Sequence, residues 1–494
     1  MEQIFKSTRG GEKRIKSSQG ILKGISSDGG LYVPEIFPSL KSDFDKLKGM
    51  NYKECAFYIL KKYFVDFTDD ELKECIDKAY DSKFSSEEII SLAAVENIYF
   101  LELYRGKTLA FKDMALSILP HLIKCASDKS ENKKEIVILT ATSGDTGKAA
   151  LEGFANVNGI KIIVFYPEKG ISEVQKRQMQ TQEGKNTFVI GVNGNFDDAQ
   201  RAIKEVLNDD EFKNLLEKND YMFSSANSIN IGRLIPQIVY YVYSYFKLLR
   251  ENRIDSGEEI NIVVPTGNFG NILAAYYSKK MGLPIDKLIC ASNENNVLTD
   301  FINTGIYDCE RNFLITNSPS MDILISSNLE RFLYDISGQD SKVINKLMKD
   351  LKENSKYEIN DYMKSNMKDL YGDFANDNEV LKGIKEIYEE CNYLIDTHTS
   401  VGYMVYKKYK EKTGDNKKTI IVSTASPFKF TKSINDALEL SDENDEFKLI
   451  KELSEIIKIE IPKGVKDLED KEKIHNEICN KDEIKNVIKN ILKA

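Results

Sequence analysis

Along the middle of the chain, short apolar runs alternate with amphipathic stretches. Glu135-Ile136-Val137-Ile138-Leu139-Thr140 reads as a buried strand, and a Ser/Gly/Asp/Thr/Gly turn leads from it into a helix from Lys148. Lys161–Tyr166 and a helix from Ser172 repeat the unit, as do Thr187–Ile190 and the helix Asp197–Leu207. Strands and helices alternating at this spacing predict parallel βαβ units. Ile231–Leu249 reads as one long helix. Ile260–Pro265 then opens another unit, with a helix from Asn271 and a strand at Leu288–Ala291. The flanks differ. Up to about residue 95 the chain reads as a mostly helical lobe: the turn Ser26–Gly30 leads into an extended Leu31–Pro34, and helical periodicity runs through Tyr52–Phe64 and Asp69–Tyr80. Residues 340–390 are highly charged and helical in period, with no strand expected; Thr419–Ser423 is a late strand, and the tail from Asp442 reads as peripheral helices. The expected division is 1–95, 96–235 and 236–494, the second and third parts being the smaller and larger α/β domains.

Composition narrows the function classes. The 494 residues carry 69 Lys+Arg against 78 Asp+Glu, a net charge of −9, which argues against a nucleic-acid partner. His121, His398 and His475 are the whole histidine complement, so no metal site is expected. Seven cysteines without a C-x-x-C pair fit the reduced thiols of a cytoplasmic protein. Met1–Gly24 lacks an apolar core, so no signal peptide is expected, and Leu234–Leu249 is broken by Gln237, Ser244 and Lys247, so no membrane association is expected.

Five segments carry candidate chemistry. Thr142-Ser143-Gly144-Asp145-Thr146-Gly147-Lys148 invites a Walker A reading, but G-x-x-x-x-G-K-[ST] needs Gly at 142 and Ser or Thr at 149, where Thr142 and Ala149 stand. What remains is a polar strand-to-helix turn suited to a carboxylate or phosphate, or an ordinary turn with Ser/Thr capping. Pro265-Thr266-Gly267-Asn268-Phe269-Gly270-Asn271 also links strand to helix and can wrap an anion, but lacks dinucleotide spacing. In Thr108-Leu109-Ala110-Phe111-Lys112-Asp113, Lys112 is either a desolvated amine able to form a Schiff base or a surface lysine opening the helix Met114–Cys125. Ser423-Thr424-Ala425-Ser426-Pro427 ends the last strand, where open α/β sheets bind ligands and where a helix cap is the plain alternative. Ser225–Arg233 gathers two Asn, a Ser and an Arg around a helix start, a set suited to a phosphate or to capping with a solvent-facing Arg.

The order and spacing of these motifs resemble the threonine synthase family of fold-type-II (tryptophan-synthase β-like) pyridoxal-phosphate enzymes. The resemblance begins at Ser7-Thr8-Arg9-Gly10 and Asp28–Pro34 and extends through Ser423–Phe430. One motif departs: the family's Thr-Ala-His-Pro-Ala-Lys-Phe is here Thr424-Ala425-Ser426-Pro427-Phe428-Lys429-Phe430. Asp396-Thr397-His398-Thr399-Ser400 resembles a further family stretch, with no chemistry assigned to it.

The resemblance implies two open, mostly parallel α/β domains with pyridoxal 5′-phosphate between them, an N-terminal lobe and peripheral C-terminal helices. It implies that Lys112 carries the cofactor through an imine bond, with Phe111 packed nearby and Asp145 close to the cofactor's 3′-oxygen. Gly267, Asn268, Phe269, Gly270 and Asn271 would hold the cofactor phosphate, and Thr424 would face the pyridine nitrogen. Ser143, Gly144, Asp145 and Thr146 would bind the amino-acid carboxylate, and Asn227, Ser228 and Arg233 the substrate's own phosphate. The implied reaction takes O-phospho-L-homoserine and water to L-threonine and phosphate, the last step of threonine biosynthesis. A serine/threonine dehydratase of the same fold and a non-catalytic relative are the alternatives. No allosteric domain is expected, and oligomeric state is not legible.

Overall fold

The computed structural model describes residues 3–494 except 13, 131, 132, 143, 169, 170 and 442, with the side chains of 196 and 197 also left undescribed. Two parallel sheets organise it. A five-stranded sheet runs in the order Ile478–Asn480, Thr187–Asn193, Ile160–Pro167, Glu135–Ala141, Tyr221–Ser224. A six-stranded sheet runs in the order Leu370–Phe374, Ile285–Ser292, Ile260–Pro265, Thr419–Ser423, Ile98–Glu102, Ser91–Val95, with its last pair antiparallel. Ile260–Pro265 is buried at every position. This is what an apolar run without alternation predicts for a central strand covered on both faces.

The helices follow from local signals. Asn51 and Thr68 each accept a hydrogen bond from the backbone three residues on, while Glu54 and Glu71 reach back to them. The helix expected over Ile231–Leu249 is two pieces, Ile231–Leu234 and Pro236–Arg250. Pro236 has no N–H to donate and fits a first turn, so it marks the restart. The helix Pro236–Arg250 is buried on nearly all sides, as a helix with apolar residues around most of its circumference requires.

Three expectations are corrected. Ser91–Val95 and Ile98–Glu102 belong to the six-stranded sheet, so the chain enters that sheet before Lys112 and not after residue 235. Residues 340–390 contain the strands Lys356–Glu358 and Leu370–Phe374. The tail is not only peripheral helix, because Ile478–Asn480 pairs with Thr187–Asn193 at the edge of the smaller sheet. At the N-terminus, Phe5–Ser7 pairs antiparallel with Tyr32–Pro34, which brings the two halves of the N-terminal signature together.

Candidate active site

Four of the sequence motifs stand at the carboxyl ends of parallel strands, the position where open α/β sheets bind ligands. Lys112 follows Ile98–Glu102, Gly267 follows Ile260–Pro265 and Thr424 follows Thr419–Ser423 in the larger sheet; Asp145 follows Glu135–Ala141 in the smaller. A short main-chain ladder fixes Lys112 relative to Thr424. The Phe111 N–H donates to the Thr424 carbonyl at 2.7 Å, Ser426 N–H donates to the Leu109 carbonyl at 3.0 Å, and Ala110 bridges Ala425.

Lys112 Nζ lies 3.5 Å from Asp145 Oδ2 and 3.4 Å from Ser320 Oγ, over the Phe111 ring at 5.2 Å. Its side chain is 12% exposed. Burial lowers the basicity of this amine, Asp145 opposes the shift, and the charges of Lys429 and Arg233 reinforce it. Asp145 is the electrostatic counterweight. Its Oδ1 is 2.5 Å from the fully buried Lys429 Nζ and accepts from Gln175 Nε2 at 3.0 Å, while Oδ2 accepts from Ser320 Oγ at 3.2 Å. Burial alone would raise this carboxyl, but Lys429 and Lys112 outweigh it and hold Asp145 well below the ordinary carboxylate range. An ionised carboxylate repels another, so the Asp145 side chain is unsuited to the carboxylate-binding part assigned to it.

The turn itself is shaped by Thr142, whose buried hydroxyl accepts from Gly144 N at 3.0 Å and Gly147 N at 2.9 Å. Gly144 has φ +146°, and a Cβ there would meet Gln175 Cδ at 2.5 Å, so only glycine fits. Ser143 lies outside the described residues. Thr146 is half-buried in the first turn of the helix Asp145–Phe154.

Arg233 is 5% exposed. One guanidinium nitrogen donates to the Ala226 carbonyl at 2.8 Å, while Nε has no partner. Burial pushes this group down to about 10, and among the described residues no carboxylate pairs with it. Ser228 is half-buried and Asn227 exposed beside it.

In the Gly267–Asn271 loop, Phe269 adopts a left-handed conformation (φ +61°) that turns the chain into the helix Gly270–Lys280, and its ring is buried. Gly270 is buried and Asn268 exposed. A Cβ at Gly267 would lie 3.1 Å from the Ser320 carbonyl oxygen, so the loop is pressed against that residue. Asn271 Oδ1 accepts from both the Tyr240 and Tyr241 hydroxyls, while its Nδ2 is buried without a partner. Orphaned buried donors in Arg233 and Asn271, a helix N-terminus and an amine of lowered basicity fit a phosphorylated aldehyde cofactor together with a second anion.

Asn328 Nδ2, not singled out in the sequence, donates to Ser228 Oγ at 3.2 Å and to the Asn268 carbonyl at 3.0 Å. Its Oδ1 accepts from Arg331, a fully buried guanidinium that also donates to the Tyr32 and Ile229 carbonyls. Asn328 and Arg331, one helical turn apart, thus tie the 225–233 and 265–271 segments to the N-terminal signature. Sequence reasoning also passed over Gln175, Ser320 and the role of Lys429. For Lys429 a signal existed, since it sits inside the quoted motif that ends at Phe430. Ser426, standing where the family has His, accepts from the Phe428 N–H and caps a short turn.

The descriptions "Threonine synthase N terminus", "Pyridoxal-phosphate dependent enzyme" and "Threonine synthase, C-terminal" match residues 4–80, 86–425 and 399–488. Saccharomyces cerevisiae threonine synthase is 36% identical over 470 residues, covering 88% of this chain and 89% of that protein. This chain belongs to the threonine synthase family. Its fold is that of the pyridoxal-phosphate-dependent enzymes, and pyridoxal phosphate is its cofactor. The crystal structure of pyridoxal-phosphate-bound threonine synthase from Brucella melitensis is similar over 100% of both chains, with a TM-score of 0.88 and 30% identity. Human threonine synthase-like 1 is 39% identical over 441 residues; the match takes in 87% of this chain but spans only 58% of the length of that relative.

Proposed function

We propose that this chain is a cytoplasmic threonine synthase, converting O-phospho-L-homoserine and water to L-threonine and phosphate. The observation that carries the reading is Arg233: a buried guanidinium without a carboxylate, close enough to lower the basicity of Lys112. A fixed cation of this kind suits a substrate that brings its own phosphate to the catalytic amine. A dehydratase acting on threonine or serine has no phosphate to place there.

Bound pyridoxal phosphate supplies the electron sink for negative charge on the substrate carbons. Asn271 Nδ2 and the N–H groups opening the helix Gly270–Lys280 hold the cofactor phosphate, together with the Gly267–Phe269 backbone. Phe111, Asp145 and Thr424 would hold the ring of the cofactor, Asp145 through its carboxylate and Thr424 through its hydroxyl. The Ser143–Thr146 turn holds the substrate carboxylate through backbone N–H groups. Lys112 Nζ, made less basic by burial, takes protons from Cα and Cβ and returns one to Cγ and one to Cα, while the proton left by water goes to the departing phosphate. Arg233, Asn227 and Ser228 hold the phosphate as its bond to Cγ breaks, and water supplies the hydroxyl at Cβ.

The test is steady-state turnover of O-phospho-L-homoserine against threonine and serine. Threonine and phosphate should form in equal amounts, and Arg233→Ala should raise KM by roughly 30-fold, about 2 kcal/mol of lost charge-assisted contact. An unchanged KM would place the phosphate elsewhere. A second reading is a family member that binds the phosphorylated amino acid without turning it over, since the match to human threonine synthase-like 1 spans only 58% of that relative and carries no activity across to this chain. Binding without threonine release would establish that reading instead.

A further inference from the structure

Ser320 lies on none of the sequence motifs, yet its hydroxyl oxygen is 3.4 Å from Lys112 Nζ and 3.2 Å from Asp145 Oδ2. We propose that Ser320 orients the Lys112 amine during proton transfer, and that Asp396 and His398 are positioning residues that hold Ser320 in place. The proposal rests on Lys112 being the proton-carrying amine. Asp145 is an ionised acceptor, so the Ser320 O–H donates to Asp145 Oδ2. This turns the hydroxyl lone pairs toward Lys112 Nζ, which donates to them. A lysine amine sits on a flexible four-carbon stem. With Asp145 and Ser320 both accepting from it, its remaining direction is set toward the substrate carbons.

The support behind Ser320 is built in. Its backbone N–H donates to His398 Nε2 at 3.2 Å, which puts the ring proton on Nδ1, where it donates to Asp396 Oδ2 at 2.8 Å. Asp396 also accepts from the His398 and Thr399 backbone N–H groups, at 3.0 and 3.1 Å, so the carboxylate is fixed to the start of the helix Thr397–Thr413. His398 packs on Phe430 with ring centroids 4.8 Å apart. The loop carrying Ser320 is knotted from the other side. Asn293 Nδ2 donates to Thr316 Oγ1 at 2.9 Å, Ser318 Oγ at 3.1 Å and Asp322 Oδ1 at 2.7 Å. Asn293, Ser318, Asp396 and His398 are all buried. This is far more fixation than a surface loop needs, and it converges on one hydroxyl beside the catalytic amine.

In the holoenzyme, Ser320→Ala should lower kcat for O-phospho-L-homoserine roughly 10- to 100-fold, the scale of a misplaced proton-transfer group. KM should stay within about 3-fold, because Arg233 and its neighbours are untouched. His398→Phe should lower kcat in the same way, and His398→Gln, which retains an acceptor, should restore part of it. A second measurement does not depend on turnover. The rate at which full-length protein attaches pyridoxal phosphate to Lys112, trapped with borohydride and read by mass spectrometry, should fall several-fold in Ser320→Ala. Unchanged kcat and unchanged attachment would overturn the proposal. So would KM and thermal midpoint worsening in step with kcat, which is the signature of a structural role alone. Attachment in the parent protein to a lysine other than Lys112 would overturn the reading on which the proposal rests.

Discussion

Lys429 is fully buried with its amine 2.5 Å from Asp145 Oδ1, and it donates to the Thr108 carbonyl at 2.9 Å. Lys429→Met keeps the apolar stem and removes the charge, leaving Asp145 with the more distant Lys112. Removing one partner of a buried ion pair costs about 3–5 kcal/mol, so the urea midpoint at neutral pH should fall clearly. The pH dependence has a definite sign. A carboxyl held below its unfolded value of about 4 contributes stability that is present above that value and is lost as pH falls through the folded one. In the parent protein this loss belongs to strongly acidic solution. In Lys429→Met, Asp145 loses the largest of the charges that oppose burial and keeps Lys112, His398 and its hydrogen bonds, so the folded value climbs and the loss moves to higher pH. Urea midpoints measured across the acid range check this, and identical curves for the two proteins would refute it. Lys112, Asp145 and Arg233 were singled out in the sequence by the order and spacing of their motifs, and the structure sets Lys112 beside Asp145. Ser320 was not, because its meaning comes from Lys112, 208 residues away.

At the scale of elements, the start of the helix Leu329–Ile336 joins segments that the chain keeps far apart. Asn328 holds Ser228 and Asn268, Arg331 holds Tyr32 and Ile229, and Glu330 accepts from Thr8 and from Arg9, the latter at 2.8 and 3.1 Å. Asn328→Ala leaves a buried guanidinium N–H without its acceptor, at about 1–3 kcal/mol for the unsatisfied group, and removes one of the two bonds that residue 328 makes to the Asn268 carbonyl. If the two loops hold the two phosphates, this one substitution should weaken cofactor binding and raise substrate KM together, each roughly 5-fold or more. Arg233→Ala should move only the second. Titration of the apoprotein with pyridoxal phosphate beside a KM measurement separates them, and an effect of Asn328→Ala on one constant alone would refute the coupling. Most elements of the two sheets could be read from period and apolar runs. Leu370–Phe374 could not. It is an edge strand paired on one side only, mostly half-buried, with Gly372 and Asp373 in its middle, so it shows no apolar run.

At the scale of the molecule, the site exists because the carboxyl ends of two sheets face one another, and Asp145 in one reaches Lys112 and Lys429 in the other. Its geometry therefore depends on the smaller sheet keeping its shape, and the C-terminal tail completes that sheet. Ile478, Cys479 and Asn480 pair with Gly191, Val192 and Asn193, and the helix Ile484–Leu492 packs Ile484, Val487, Ile488 and Leu492 into a core with Val137, Ile163, Phe165, Ile190 and Phe212. The charge of the tail concealed this: buried positions three and four residues apart were legible as a helix, but the three-residue strand before it carries no periodicity to detect. Burying four such aliphatic side chains contributes about 6–12 kcal/mol at roughly 1.5–3 kcal/mol each, comparable with the whole stability of an ordinary domain. Ending the chain at residue 473 should therefore unfold the smaller sheet at lower urea than the larger one, giving two transitions by circular dichroism where the parent gives one. Limited proteolysis should then cut first within 135–224, while the six-stranded sheet that carries Lys112, Gly267 and Thr424 persists. Cofactor affinity should fall even though none of those three residues is touched, because Asp145 and its turn no longer hold their place. A single transition at the parent's midpoint would mean that the tail only covers the sheet and does not hold it together.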